Sequence, residues 1–194
     1  AGYEIALGID NNSTALHCFQ KNHPTAKALL ASIADFDVCL RALRAAQVDI
    51  ATCSAPCQGF SSAGKQLQDD PRNNLTMAAA RIFAAARTPI VIFENVPQCA
   101  SSSVWSATLL LLRAAGYTIT SAVLDACQFG VPQRRKRMFA VATQPGYEFD
   151  FAGAAAAAGT RARTCVADVM PDRQFFYHFG RGRADQCVFR SDTQ

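Results

Sequence analysis

Cys57 is the residue of this chain best suited to nucleophilic chemistry. It stands in Pro56-Cys57-Gln58-Gly59-Phe60-Ser61, just after an apolar run, Asp49 to Cys53, that enters a proline-containing turn. Two further apolar runs border on polar groups. Pro89-Ile90-Val91-Ile92-Phe93 stops at Glu94-Asn95, and Gln133 to Arg137 leads into Met138 to Thr143. A thiol attacks as its thiolate, and only a small fraction of an ordinary cysteine is ionised near neutrality, so cationic neighbours help. A cysteine after one strand, a glutamate at the end of the next and arginines leading into another make a nucleophile, an acid and a source of positive charge. Singly, each has a plainer explanation: a structural cysteine, a solvated or capping glutamate, a surface basic run. Together they sit where open α/β sheets carry their sites, at strand ends.

The elements that must position these residues alternate between short β-type runs and helix-type segments, the pattern of an α/β sheet. Tyr3 to Ile9 reads as a strand ending at Asp10, and Thr14 to Asn22 as a helix with Ser13 or Thr14 as N-cap. Val38 to Ala46 reads as a second helix and Asp49 to Cys53 as a strand. Ser61 to Asn74 is polar and loop-like, and Leu75 to Ala86 is Ala-rich and helical. The run from Pro89 to Phe93 has the continuous apolar character of a strand buried on both faces. Val104 to Ala115 reads as a helix closed by Gly116, a natural C′ residue; Tyr117 to Leu124 and Met138 to Thr143 read as strands. Beyond Phe151 the character changes. Ala154 to Ala158, between Gly153 and Gly159, reads as a linker insertion rather than a short helix, and an Arg-rich stretch with Phe175-Phe176-Tyr177 follows. The expected organisation is one domain over residues 1–150 and a linker with the start of a second region over 151–194.

Composition narrows the classes. A chain of 194 residues, 50% of them hydrophobic, can bury one core with an appendage. No stretch reaches the ~18 apolar residues of a membrane helix, and the opening residues lack a signal-peptide pattern. The net charge of +4 permits nucleic-acid binding without requiring it. Its distribution is more telling: Arg134 to Arg137 form one basic run, and Arg161, Arg163, Arg173, Arg181, Arg183 and Arg190 crowd the last third. The 8 cysteines form no Cys-x-x-Cys pair and have no companion His cluster, so neither zinc nor another metal is expected. Cys18, Cys39, Cys53, Cys99 and Cys127 lie among apolar neighbours and read as buried small hydrophobes, which suits a reducing, intracellular compartment. The chain opens on Ala1-Gly2-Tyr3 rather than methionine, the expectation being a piece of something longer.

Taken in order, Pro56-Cys57-Gln58-Gly59-Phe60-Ser61, then Arg72 and Leu75, then Phe93-Glu94-Asn95-Val96, then Phe129-Gly130-Val131-Pro132-Gln133-Arg134-Arg135-Lys136-Arg137 resembles the cytosine-C5 DNA methyltransferase family. The likeness runs from about Tyr3 to about Thr143. It continues weakly through Val166-Ala167-Asp168-Val169-Met170-Pro171, which is similar to the opening of the family's target-recognition region. The resemblance implies a Rossmann-like S-adenosylmethionine-dependent methyltransferase sheet and a double-stranded DNA substrate whose target cytosine is flipped out. It makes Cys57, Glu94, Arg135 and Arg137 the catalytic set and places Gln58, Ser61, Asn95 and Gln133 against the substrate. Asp10, Ile33, Pro56 and Leu75 fall on cofactor positions. Lys65 and Arg72, in a loop resembling the one that closes over the extruded base, suit phosphate contact.

The chain also departs from the family. The family's first strand, with its Phe-x-Gly-x-Gly element, has no counterpart here. Gly8 stands where a ribose-binding acidic residue is usual, and Ser32-Ile33 where the family has Asp-Ile. That first strand is central in the family's sheet, so the expected sheet is incomplete. The piece lacking would come from upstream sequence, a second subunit or a permuted gene. Two other readings compete: a tRNA cytosine-C5 methyltransferase, and an inactive nucleic-acid-binding relic. The altered cofactor positions favour the relic, and the intact Cys57, Glu94, Arg135 and Arg137 oppose it. The target sequence is not legible, because the readout residues belong to a region mostly absent.

Overall fold

The computed structural model describes residues 2–56 and 74–158, together with the short strands Phe176–Tyr177 and Val188–Phe189. The elements run β1 (Leu7–Asp10), α1 (Ser13–Asn22), β2 (Lys27–Leu30), α2 (Phe36–Ala46), β3 (Ile50–Cys53), α3 (Leu75–Ala86), β4 (Ile90–Asn95), α4 (Ser103–Ala114), β5 (Thr118–Asp125), β6 (Lys136–Thr143), α5 (Phe151–Ala158), β7 (Phe176–Tyr177) and β8 (Val188–Phe189). Two compact units divide the chain. One comprises Ala1–Leu124 and Lys136–Ala158, the other Asp125–Arg135 and Gly159–Gln194.

The first unit is a Rossmann-like α/β sheet in two pieces. β1 and β2 pair in parallel, Leu7 opposite Lys27 and Asp10 opposite Leu30. The larger piece has the order β3-β4-β6-β5. β3 is parallel to β4, with Cys53 opposite Phe93, and β4 is antiparallel to β6, with Glu94 opposite Phe139 and Asn95 opposite Met138. Strand residues alternate between faces, and here the two faces differ in cover. Val91, Phe93, Met138, Ala140 and Ala142 join Cys39 and Leu43 of α2, Ile82 and Phe83 of α3, and Trp105 and Leu112 of α4 in one core. Phe93 anchors it, edge-on to Phe83 at 6.1 Å and to Trp105 at 5.7 Å between centroids. The other face carries Ile50, Ile90, Ile92 and Phe139, all half-buried, together with Val141, which is 3% exposed. The continuous apolar run of β4 therefore does not make a strand buried equally on both sides: its burial alternates.

The interruption lies between β1 and β3. A parallel ladder uses alternate residues for each neighbour. Lys27 N–H donates to Ala6 O and Ala31 N–H to Asp10 O, so Leu7 and Ile9 turn their amide groups away from β2. Ile90 N–H donates to Asp49 O, so Ile50 and Thr52 likewise turn theirs away from β4. Leu7, Ile9, Ala51 and Cys53 all pack on the same core, while on the opposite side of β1 a Cβ at Gly8 would lie 2.6 Å from the Phe19 ring of α1. The two pieces thus share one core, and among the described residues no strand pairs with the inner edges of β1 and β3.

Local chemistry explains most element ends. Asn12 caps α1, its Oδ1 accepting from Thr14 N–H (2.9 Å) and Ala15 N–H (3.1 Å), so the cap is neither Ser13 nor Thr14 but the residue before them. Helix α4 is followed by Gly116 at φ +89°, a left-handed position that glycine takes without strain. Residues 151–158 form a helix rather than a linker: alanine is the strongest helix former, and Asp150 accepts from Ala152 N–H (2.9 Å) and Gly153 N–H (2.6 Å) at its start. β2 had no distinct signal in the sequence, being four residues bordered by polar turns. Cys18 is exposed rather than buried, since α1 buries only Leu16 fully.

In the second unit, Phe176–Tyr177 pairs antiparallel with Val188–Phe189, and Asp125–Arg135 contains a short 3₁₀ turn, Ala126–Phe129, closed by Gly130 at φ +78°.

Candidate active site

Strand β4 sends its last two residues to opposite faces. Glu94 lies on the half-covered face, diagonal across the β4–β6 ladder from Arg137, whose Nε stands 3.0 Å from Glu94 Oε1. Arg137 Nη1 also donates to the Lys136 carbonyl at 2.8 Å. The two side chains are 31% and 23% exposed, accessible to a ligand yet held in one geometry. Such a pair keeps a carboxyl group beside a fixed cation with spare N–H donors, suited to a polar heterocyclic edge.

Asn95 points to the core face and is 5% exposed. Its Nδ2 donates to the Ala55 carbonyl at 3.4 Å, and its Oδ1 accepts from Val96 N–H at 2.8 Å. The first bond ties the end of β4 to the turn that leads through Pro56 to Cys57. Cys53, at the end of β3, is a different kind of thiol. Burial pushes its pKa up to about 11 against an opposing hydrogen bond from the Ala55 backbone, so it stays protonated and acts in packing. Cys57, Gln58 and Ser61 lie outside the described residues, as do Lys65 and Arg72.

Arg135 and Gln133 belong to the second unit and are both exposed. Gln133 N–H donates to Val131 O at 2.7 Å. Of the residues expected at a cofactor, Asp10 is exposed at the carboxyl end of β1, its Oδ1 accepting from Asn12 N–H at 2.8 Å. Ile33 is half-buried against the core, Pro56 is exposed after β3, and Leu75 is half-buried as the first residue of α3. Among the described residues no group of His, Cys, Asp and Glu could hold a metal, and no helix is long and apolar enough to cross a membrane.

A layered α/β sheet with a glutamate–arginine pair at one strand end and a turn tethered at Ala55 after the next is of the class that works at the carboxyl ends of Rossmann-like sheets. Comparison with known proteins makes this particular. The model of the C-5 cytosine-specific DNA methylase family matches residues 1–172, and the chain belongs to that family. It is 31% identical over 194 residues to the type II methyltransferase M.HgiDI of Herpetosiphon aurantiacus, covering 97% of this chain and 62% of that one. It is 32% identical over 159 residues to the type II methyltransferase M.AgeI of Thalassovita gelatinovora, covering 77% and 37%. Among solved structures, the fold is similar to the Schizosaccharomyces pombe Dnmt2 methyltransferase (TM-score 0.60, 21% identity, 76% of this chain and 43% of that one). It is also similar to that of the Spodoptera frugiperda DNMT2 variant (TM-score 0.62, 24% identity, 85% and 48%). The chain therefore spans less than two thirds of these relatives.

Proposed function

We propose that the chain is the catalytic segment of a DNA (cytosine-5-)-methyltransferase. The observation that carries this reading is the pair of contacts at the end of β4. Glu94 is held by Arg137, while Asn95 holds the Ala55 carbonyl two residues before Cys57. Family membership supplies the chemical context.

On this reading the Cys57 thiolate adds to C6 of a flipped cytosine, forming a carbon–sulfur bond as ring electrons move toward N3. Glu94 supplies a proton at N3, and Arg137 faces the O2 edge. Arg135 adds positive charge that favours the thiolate, and Gln58, Ser61, Asn95 and Gln133 order the loop and the base. When bound, S-adenosylmethionine would supply the electrophilic methyl group for C5, its methyl–sulfur bond breaking to leave the neutral thioether. A base then removes the C5 proton, the C6–sulfur bond breaks, Cys57 leaves as thiolate and the N3 proton returns to Glu94. Asp10, an exposed carboxylate at a strand's carboxyl end, suits ribose hydroxyls, and Ile33, Leu75 and Pro56 supply apolar contacts. The Phe19 ring over Gly8 leaves Asp10 as the carboxylate available on β1.

The reading includes a completed sheet. β1 passes to β2 through α1 on one face, and β2 returns to β3 through α2 on the other. With right-handed crossovers this turns the open edges of β1 and β3 toward each other. A strand from outside these 194 residues, on the same polypeptide or a second subunit, would pair with Leu7, Ile9, Ile50 and Thr52 and complete the switch point where such sheets bind ligands.

Trapping on duplex DNA containing 5-fluorocytosine, with S-adenosylmethionine, tests the assignment. The expected result is a covalent adduct that disappears in Cys57→Ser. A protein whose sheet has been completed and that forms no adduct overturns it.

A further inference from the structure

The segment between β5 and β6 carries Gln133, Arg134 and Arg135 and is closed at its base by a small set of bonds around the backbone of Arg135. Asp125 Oδ1 accepts from Arg135 N–H at 3.0 Å and from Cys127 N–H at 3.4 Å. Ala126 N–H donates to the Arg135 carbonyl at 3.1 Å, so both backbone groups of Arg135 are held from the same short stretch. The clasp is itself braced. Asp125 N–H donates to Gln128 Oε1 at 3.3 Å, and Val131 N–H donates to Ala126 O at 3.3 Å. Arg135 is exposed, so its side chain projects from a backbone that cannot drift. An arginine on an unanchored ten-residue loop would lose far more rotational and backbone freedom on meeting a ligand.

We infer that Asp125 is a positioning residue: its carboxylate fixes the Arg135 main chain and thereby the direction in which the guanidinium is presented. This rests on the assignment of Arg135 to the reaction proposed above, and it adds a residue that does not itself touch substrate. The part played by Asp125 toward Arg135 is that of a hydrogen-bond acceptor, which an asparagine amide oxygen can reproduce and an alanine cannot.

Hydrogen exchange and trapping on the full chain, read for wild type, Asp125→Ala and Asp125→Asn, test this together. In Asp125→Ala the Arg135 amide is expected to exchange about tenfold faster, as for the loss of one hydrogen bond, and adduct formation on 5-fluorocytosine DNA to slow by a similar factor. Asp125→Asn restores both. Asp125→Ala added to Arg135→Ala slows the reaction little beyond Arg135→Ala alone, whereas a merely structural Asp125 would leave the two losses additive. An unchanged Arg135 amide in Asp125→Ala, or additive losses, overturns the inference. If the wild-type protein with its sheet completed forms no adduct while the Arg135 amide responds as stated, the reaction assignment falls and the clasp stands.

Discussion

Arg137 Nε lies 3.0 Å from Glu94 Oε1, diagonally across an antiparallel ladder and on the less covered face of the sheet. Because both side chains retain solvent contact, the pair contributes little to folding, on the order of 0–1 kcal/mol. Its value is to hold a carboxyl group in place. With Glu94 as the acid of the proposed reaction, Glu94→Gln is expected to leave the melting temperature nearly unchanged while slowing adduct formation by about 10²–10⁴-fold, the usual range for a lost acid. Arg137→Ala should also spare the fold and slow the reaction. A melting curve beside a trapping time course checks both, and a large loss of stability in Glu94→Gln would argue against this division.

Asn95 behaves differently because it is buried. Asn95→Ala leaves the Ala55 carbonyl and the Val96 N–H without their amide partner. The cost is about 1–3 kcal/mol of stability. It also unties the turn before Cys57, so adduct formation slows more than the stability loss explains. Denaturant unfolding and trapping at a temperature where the variant is fully folded separate the two effects.

How much of this was readable in the sequence depends on whether neighbours or periodicity decided each feature. α3, with its long Ala-rich run, has the expected Leu75–Ala86 bounds. Asp49 to Cys53 and Met138 to Thr143 also fall on strands, differing by one or two residues at their starts. β4 runs on through Glu94 and Asn95, because pairing with Phe139 and Met138 carries the ladder past the last apolar residue. Residues 3–6 look strand-like, but pairing with β2 begins only at Leu7. The types and order of the site residues were visible. Invisible were the Asn95–Ala55 bond and the Asp125–Arg135 clasp, which join positions 40 and 10 residues apart through side-chain geometry that no spacing rule encodes.

Phe93 tests the core that carries the site. It is 2% exposed and meets Phe83 and Trp105 edge-on. Phe93→Ala opens a cavity beneath Glu94 and Asn95, with an expected loss of about 3–5 kcal/mol. Phe93→Leu should lose clearly less. Chemical denaturation of the two variants gives the comparison, and equal losses would mean that refilled volume recovers nothing and that the ring contacts with Phe83 and Trp105 carry the whole effect.

Cys53 offers a prediction in pH. Its folded pKa is raised from 9.0 to about 11, chiefly by burial, so the folded state holds its proton more tightly than the unfolded chain does. The associated stability is fully present below about pH 9 and is lost as pH rises from there through 11. Two pKa units correspond to about 3 kcal/mol. Burial also raises Cys39 and Tyr117, the latter against the hydrogen bond from Gln144, so wild type alone mixes several titrations. The difference between wild type and Cys53→Ala isolates one of them. Unfolding free energies measured from pH 8 to 11 should converge for the two proteins as the pH rises, with Cys53→Ala showing the shallower fall. Alkylation under native conditions at pH 8 should leave Cys53 unmodified, and parallel stability curves for the two proteins would show that its thiol is not held protonated by the fold.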